Sequence, residues 1–282
     1  QMRFSRVFFA LLPAVAVAAC SDISGKATAA TNPPLAYVRY FNAVGDTLPL
    51  DFRPIDQIEY STPFLAVPYR GIGIGNYQGY QASSRHIRIF PNSQDFATTS
   101  SILVDTTMSL SAGTYYTVVH TGYARAGASP KQGLMVLTDV FPAAGTNVAI
   151  RVLNAGPDLG NVDVYITAAA TDPLPATPTF ANVSFKGVSA YTTRAPGPIV
   201  MRVYAAGDAT TALVTATASA GTVGTSTANP IPGSGVAGTV YTAMIYSKAV
   251  LGSSASVTAG TGQNTAPSLV YWVDKLPPLT AP

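Results

Sequence analysis

Four aspartates with a repeated spacing are the first side chains in this sequence that could do chemistry. Asp46 and Asp51 recur as Asp158 and Asp163, each 112 residues further along the chain. Carboxylate oxygens suit Ca²⁺, but a calcium site needs about six to eight oxygens, and these loops lack a dense alternation of aspartates. Aspartate also closes turns by accepting backbone hydrogen bonds. We therefore expect structural carboxylates, with a weak metal site as the alternative, and we predict no metal and no cofactor.

The groups needed for catalysis are scarce. Histidine occurs only at His86 and His120, which we expect to be an exposed strand residue and a strand-end residue, and Glu59 is the single glutamate. A glycosidase built on two glutamates is therefore excluded, whereas an aspartate-based one is not. The glycine-rich segment at 71–75 lacks Ser, Lys and a following helix, so it does not predict a phosphate-binding loop. We predict that the protein is not an enzyme.

Aromatic and basic residues crowd one stretch of the first half of the chain. Tyr69, Tyr77 and Tyr80 lie there together with Arg70 and Arg85. Tyrosines on a rigid loop can stack on sugar rings or on a partner's side chains, because the ring is apolar and its tip is polar. These five residues are our candidate ligand surface. The alternative is that the tyrosines pack inside the fold.

A leader at the amino terminus indicates export. Arg3 and Arg6 precede an apolar run of 13 residues at 7–19, and small residues then lead to Cys20. A run that short cannot cross a hydrocarbon core of about 30 Å, so a cleaved signal peptide at 1–19 is favoured over a transmembrane helix.

The segment around Cys20 resembles the lipobox of bacterial lipoproteins. Its thiol is then the site of lipidation, and residues 20–35, which are small, polar and rich in proline near their end, form a flexible spacer. Ser21 rather than Asp follows the cysteine, which by that resemblance implies the outer membrane, facing either the periplasm or the outside. The alternative is an ordinary secretory signal with an incidental cysteine. As Cys20 is the only cysteine, no internal disulfide can form.

The charge balance excludes one class of partner. The chain has 16 basic and 13 acidic residues, and cleavage of the leader removes Arg3 and Arg6. The mature chain is thus nearly neutral and has no basic cluster, so we predict no nucleic-acid binding.

A duplication organises the rest of the chain. Residues 38–52 read VRYFNAVGDTLPLDF and residues 150–164 read IRVLNAGPDLGNVDV, and further matches follow in the same order. A repeat of this length is a domain rather than a solenoid unit. We place the two repeats at 36–143 and 148–278.

The local periodicity predicts strands throughout. Val162, Val164 and Ile166 alternate with polar or aromatic residues, as in a half-buried strand. Arg88 and Arg202 match between the repeats, and we expect both to face solvent. With short strands and frequent turn signals, the sequence predicts an all-β fold of two tandem immunoglobulin-like β-sandwiches after the cleaved signal helix. Asp139 and Asp274 close the last strand of each repeat, where we expect them to tie off the sandwich edge.

The repeats resemble the bacterial domain-of-unknown-function family DUF4397, which occurs in secreted and surface proteins. The resemblance rests on five segments of the second repeat, namely Ile150–Asp158, Val162–Tyr165, Phe185–Gly187, Ala237–Thr242 and Ser268–Asp274. The first repeat departs from the pattern, since Gly45 stands where the second has Pro157. The resemblance implies a β-sandwich and an envelope location, and it implies no activity.

These observations predict a lipid-anchored protein of the bacterial cell envelope that acts as a non-catalytic binding, adhesion or surface-assembly module. Its expected partners are the membrane, through the lipid, and an envelope protein or glycan. The alternative is a structural spacer or scaffold of the envelope. A hydrolase of envelope polymers is the least favoured hypothesis.

Overall fold

The computed structural model describes residues 32–56, 63–73, 75–250 and 264–279. The signal peptide, Cys20, most of the spacer and Glu59 lie outside the described residues. The described part contains no helix that is long and apolar enough to span a bilayer.

The first half of the described chain, Leu35–Asp139, forms eight strands and one short helix within the described residues. They are β1 (Leu35–Val44), β2 (Leu50–Pro54), β3 (Gly71–Ile72), β4 (Gln78–Gln81), β5 (Ser84–Pro91), α1 (Phe96–Thr99), β6 (Val104–Ser109), β7 (Tyr115–Gly122) and β8 (Gly133–Asp139). The second half, Val148–Lys275, also forms eight strands among its described residues. They are β9 (Val148–Asn154), β10 (Val162–Thr167), β11 (Phe180–Val183), β12 (Thr192–Arg194), β13 (Val200–Ala205), β14 (Val214–Thr217), β15 (Val240–Tyr246) and β16 (Ser268–Lys275).

Each half consists of two sheets. In the first half, the central sheet has the order β3-β1-β7-β8, with β4 also paired to β1, and the outer sheet has the order β2-β5-β6. In the second half, the central sheet is β12-β9-β15-β16 and the outer sheet is β11-β10-β13-β14. The first strand of each half runs parallel to its penultimate strand, β1 beside β7 and β9 beside β15. The all-β sandwich class predicted from the sequence is confirmed.

Both faces of the central strands are buried, and this decides how the halves meet. In β1, Val38 and Tyr40 point into the core of the first half, while Phe41 and Ala43 belong to a different apolar cluster. That second cluster also takes Leu153 and other residues from β9 and β15, so it lies between the two central sheets. We call it the inter-half interface. Because of it, Leu35–Pro282 forms one compact unit instead of two separate ones.

The two halves point in the same direction across this interface. Near the start of β1, Arg39 contacts Asp274 at the end of β16, and beyond the end of β1 the Gly45 carbonyl accepts a 2.8 Å hydrogen bond from Val250, just after β15. Since β15 runs parallel to β9, the first strands of both halves run the same way. The equivalent loops of the two halves therefore lie at one end of the unit.

We name the two ends by what they carry. The proximal end holds Leu35, the turn at 110–114 and the connection at 140–147 between the halves; the Gly113 amide donates a 2.7 Å hydrogen bond to the Leu35 carbonyl there. The distal end holds six connections between strands, which are 45–49, 92–103, 123–132, 155–161, 206–213 and the described ends of 247–267. The spacer thus enters at the proximal end, opposite these loops.

Two expectations about exposure are corrected. Strand β10 is buried along its whole length instead of on one face. Arg202 is also buried, because its guanidinium donates hydrogen bonds to the carbonyls of Ala170 (3.1 Å) and Asp172 (2.7 Å) in the segment that folds over it. Its counterpart Arg88 remains partly exposed. The same sequence pattern therefore has different surroundings in the two halves.

Candidate functional site

The most polar buried site of the described residues lies in the inter-half interface and starts at Arg39. Its side chain is fully buried, with Nη2 2.5 Å from the Asp274 carboxylate in the other half and Nε donating to the Thr117 hydroxyl at 2.7 Å. The guanidinium lies over the ring of Tyr77, 4.7 Å from its centroid. Strand pairing explains the local geometry, because Arg39 and Thr117 are direct neighbours in the parallel β1–β7 pair.

The second half repeats this arrangement in the opposite direction. Arg151 lies 2.5 Å from the Asp139 carboxylate of the first half and donates to the Thr242 hydroxyl at 2.8 Å. It covers the ring of Tyr191, 4.8 Å from the centroid. Arg151 and Thr242 are again direct neighbours, in the β9–β15 pair. Each half therefore contributes one arginine and one aspartate to the other, as at an interface with two-fold symmetry.

Two tyrosines complete the hydrogen bonding of these carboxylates. Tyr77 donates to Asp139 at 2.9 Å, and Tyr191 donates to Asp274 at 2.7 Å. Burial raises the pKa of both phenols far above the ordinary value, although the neighbouring arginines oppose the shift. For Arg151, burial acts to lower the pKa, and the nearby charges of Tyr191 and the two aspartates outweigh it, so that its pKa is raised. Every charge in the site thus has an opposite partner.

This site joins the two halves, which changes the role expected for two residues. Asp139 and Asp274 do not tie off a sandwich edge, because each accepts an arginine from the opposite half. Sequence comparison aligned the arginines, the threonines and the aspartates, but it did not pair Tyr77 with Tyr191. The structure shows that they are equivalent, since each tyrosine precedes the strand that pairs with the start of β1 or β9.

The repeated aspartates hold turns. Asp51 accepts the Ala66 amide at 2.8 Å, and Asp163 accepts the Asn182 amide at 2.7 Å. Ala66 and Asn182 have φ angles of 50° and 52°, a conformation that residues other than glycine rarely adopt. The carboxylates therefore fix equivalent strained corners in the two halves.

The other two aspartates are bound at the distal end. Asp46 accepts the amides of Ala124 at 2.9 Å and Arg125 at 3.1 Å, and Asp158 accepts the hydroxyl of Ser247. The described residues contain no cluster of three or more histidine, cysteine, aspartate or glutamate side chains that could hold a metal ion. Asp46, Asp51 and Asp163 thus accept backbone amides of segments distant in sequence, whereas Asp158 accepts a side-chain hydroxyl.

The candidate ligand surface is not brought together as one exposed patch. Tyr69 and Tyr80 are buried, the first in the inter-half interface and the second in the core of the first half. Burial raises the pKa of Tyr69 to about 12. Arg85 is buried beside Asp56, at 3.2 Å. These residues pack inside the fold, as the alternative interpretation held.

The remaining two members of that set lie at the interface. Tyr77 belongs to the Arg39 site described above, and Arg70 donates to the carbonyls of Ser247 and Ala266 in the second half. Tyr69 also donates to the Ser247 carbonyl, at 2.6 Å. Of the five residues, Tyr69 and Arg70 thus hydrogen bond to the other half.

The two histidines have unrelated environments. His86 is partly exposed and contacts Asp105 on the neighbouring strand. His120 is fully buried, with Nδ1 3.1 Å from the Tyr40 hydroxyl. Burial lowers the pKa of His120 to about 4, with a smaller opposing effect from Gln132. In the β9–β15 pair its position is taken by Ile245, so this histidine is particular to the first half.

The four sheets, which pack in two halves around the reciprocal interface, define an all-β sandwich protein. Residues 36–165 match the family described as "Domain of unknown function (DUF4397)". These residues are similar to the DUF4397 family, which confirms the resemblance inferred from the sequence motifs. The match covers β1–β8 and continues into β10. None of the curated proteins compared with the chain matches it.

Breaking one ion pair of the interface is expected to destabilise the whole unit. Asp274→Asn leaves the buried Arg39 without a counter-charge, and we expect the free energy of unfolding to fall by about 3–5 kcal/mol in urea titrations. Lys275→Gln, at the exposed neighbouring position, is the control and should change stability by less than about 0.5 kcal/mol.

Replacing both partners should be milder than replacing one. Arg39→Met with Asp274→Leu leaves no stranded charge, so the double variant should be more stable than Asp274→Asn. A cost below about 1 kcal/mol for Asp274→Asn would contradict a buried, compensated pair.

Stability should also fall in mild acid because of His120. Its pKa is about 4 in the folded protein, against 6.5 ordinarily. The unfolded chain therefore binds more protons between these pH values, and about 3 kcal/mol should be lost as the pH falls from above 6.5 to below 4. His120→Ile, which introduces the residue found at the equivalent position 245, should flatten the fall between pH 6.5 and 5 in denaturant titrations. Equal slopes for variant and wild type would contradict this assignment.

Proposed function

We propose that this protein is a lipid-anchored component of the bacterial cell envelope that binds partners non-catalytically through its distal loops, in adhesion or surface assembly. The proposal rests on the observation that the residue joined to the spacer and the six loops lie at opposite ends of the compact unit. The spacer enters at Leu35 on the proximal end, whereas six connections from both halves lie at the distal end. The distal loops are therefore the end of the unit that lies farthest from the residue at which the spacer joins it.

The uses of the charged side chains support a non-catalytic role. Arg39, Arg151, Asp139 and Asp274 neutralise one another in the inter-half interface. The repeated Asp51 and Asp163 accept hydrogen bonds from backbone amides, so their carboxylates are engaged in holding the chain. Rigid scaffolds with variable loops commonly serve in recognition.

The lipid anchor itself is supported by the leader that precedes Cys20. Each buried methylene contributes about 0.8 kcal/mol, and one acyl chain holds a protein only marginally, so that stable anchoring needs at least two signals. Two or three acyl chains on one cysteine would meet that requirement. The outer membrane is the location that the residue after Cys20 favours.

The anchor can be tested by fractionation. Cys20→Ser removes the thiol that would carry the lipid, and we expect the protein to appear as soluble or unprocessed precursor in place of membrane-bound mature protein. Mass spectrometry of the wild-type amino terminus should show a lipid-modified cysteine. Mature-sized Cys20→Ser protein that still sediments with the membrane would contradict the anchor.

Binding at the distal end can be tested by site-specific photo-crosslinking in cells. A photo-reactive amino acid replaces Ala126, exposed in the distal 123–132 loop, or Ala112, equally small and exposed in the proximal 110–114 turn. We expect a discrete crosslinked partner from position 126 and none from position 112. Equal crosslinking from both positions would show that the distal end has no special role.

A structural spacer is the second candidate, and the inter-half interface favours it. Fusion of the two halves into one compact unit makes a stiff element suited to holding something at a fixed distance. The same crosslinking separates the two proposals, since a spacer without a distal ligand should give no adduct from Ala126.

A further inference from the structure

The outer sheet of the first half carries an unusual row of charges on its solvent face. Arg53 on β2 pairs directly with Arg88 on β5, and Arg88 pairs directly with Asp105 on β6. The three side chains therefore stand side by side across three strands. His86, two residues before Arg88, lies on the same face and reaches the same aspartate.

Within the described residues, Asp105 is the carboxylate that forms ion pairs with this group. Asp105 accepts from Arg88 Nε at 2.8 Å through one oxygen and contacts His86 Nε2 through the other. Arg53 is exposed, and its guanidinium makes no hydrogen bond or ion pair within the described part of the chain. Side chains in direct cross-strand pairs have Cβ atoms only about 5 Å apart, and like charges there are destabilising. The row therefore retains an uncompensated positive charge beside Arg53.

The equivalent row of the second half shows how the fold removes such a charge. Tyr165 stands in place of Arg53, and Arg202, which matches Arg88, is covered by the carbonyls of Ala170 and Asp172. Thr215 occupies the position of Asp105. The first half instead presents two arginines to solvent on a flat sheet. In the second half, burial and backbone carbonyls take the place of the charged row. In the first half, the row is exposed to solvent.

We propose that the Arg53–Arg88 row is a binding site for a phosphate group carried on a sugar. Two neighbouring guanidinium groups can give parallel hydrogen bonds to phosphate oxygens, and the guanidinium of Arg53 has no partner among the described residues. Phe90 follows Arg88 on the same face, with its ring partly exposed, and supplies an apolar surface for the sugar ring. Thr107, opposite His86, adds an exposed hydroxyl. The inference refines the proposed binding role, on which it rests for its biological meaning.

The site can be measured without a membrane. The arginine Nε–H signals of the full-length Cys20→Ser protein are followed by NMR while inorganic phosphate, glucose 6-phosphate or glucose is added at constant ionic strength. We expect the signals of Arg53 and Arg88 to shift with both phosphates, more tightly with the sugar phosphate, and to stay unchanged with glucose. Glucuronate in a separate titration shows whether a carboxylate can replace the phosphate.

Variants then locate the site. Arg53→Gln should weaken binding of glucose 6-phosphate roughly tenfold, because one charged donor set is lost. Arg194→Gln, which removes a partly exposed strand arginine from the second half, is the matched control and should bind like wild type. Asp105→Asn should tighten binding, since the competing carboxylate is neutralised.

Equal affinity of Arg53→Gln and wild type, or the same shifts with sodium chloride alone, would overturn the site. Tighter binding of glucuronate than of glucose 6-phosphate would overturn its assignment to phosphate. Each of these outcomes is independent of the Cys20 and crosslinking experiments, so failure of the phosphate site is distinguishable from failure of the proposed envelope role.

Discussion

The fold depends on two buried ion pairs that each connect one half to the other. Arg39 with Asp274 and Arg151 with Asp139 place four charges where water cannot solvate them. Burying a charge is costly unless it is paired and hydrogen bonded, and here threonine and tyrosine hydroxyls supply the remaining bonds. Neither half satisfies its own arginine with its own last-strand aspartate. The pairing therefore specifies which surfaces meet and in what register, while the apolar side chains around it supply most of the contact.

This constraint explains why both faces of the central strands are apolar or paired. A sandwich that stood alone would show alternation, with every second residue facing water. In β1, the residues that alternate with the core are Arg39, Phe41 and Ala43, and all are buried against the second half. The charge of Arg39 is tolerated at such a position because its partner, Asp274, lies on the opposite sheet. The outer sheet of the first half is open to solvent on its far side at Arg53 and Arg88, whereas in the second half the segment that holds Ala170 and Asp172 covers the equivalent Arg202.

Much of this architecture could be predicted from the sequence, because its signals are local. Alternating valines, turn residues and the family motifs indicate strands and a sandwich, and the duplication aligns Arg39 with Arg151. The contacts across the halves depend on the tertiary structure. An alignment shows that Arg39 and Arg151 are equivalent, but it does not show that each pairs with an aspartate of the other half. The prediction for Arg202 was wrong for a related reason, since nothing near it in sequence shows that the carbonyls at 170 and 172 return over its guanidinium. The tyrosines of the first half are clustered in the sequence, but such a cluster is compatible with both a buried core and an exposed binding surface.

The reciprocal arrangement has a consequence for how the halves stay together. Each brings one cation and one anion to the contact, so each surface is complementary to a copy of its own kind, as in a homodimer with a two-fold axis. In a homodimer such pairing is lost on dilution. Here the short connection at 140–147 keeps the second surface at a high effective concentration. The association of the halves is therefore independent of protein concentration, and it persists even when the protein is expressed at a low level.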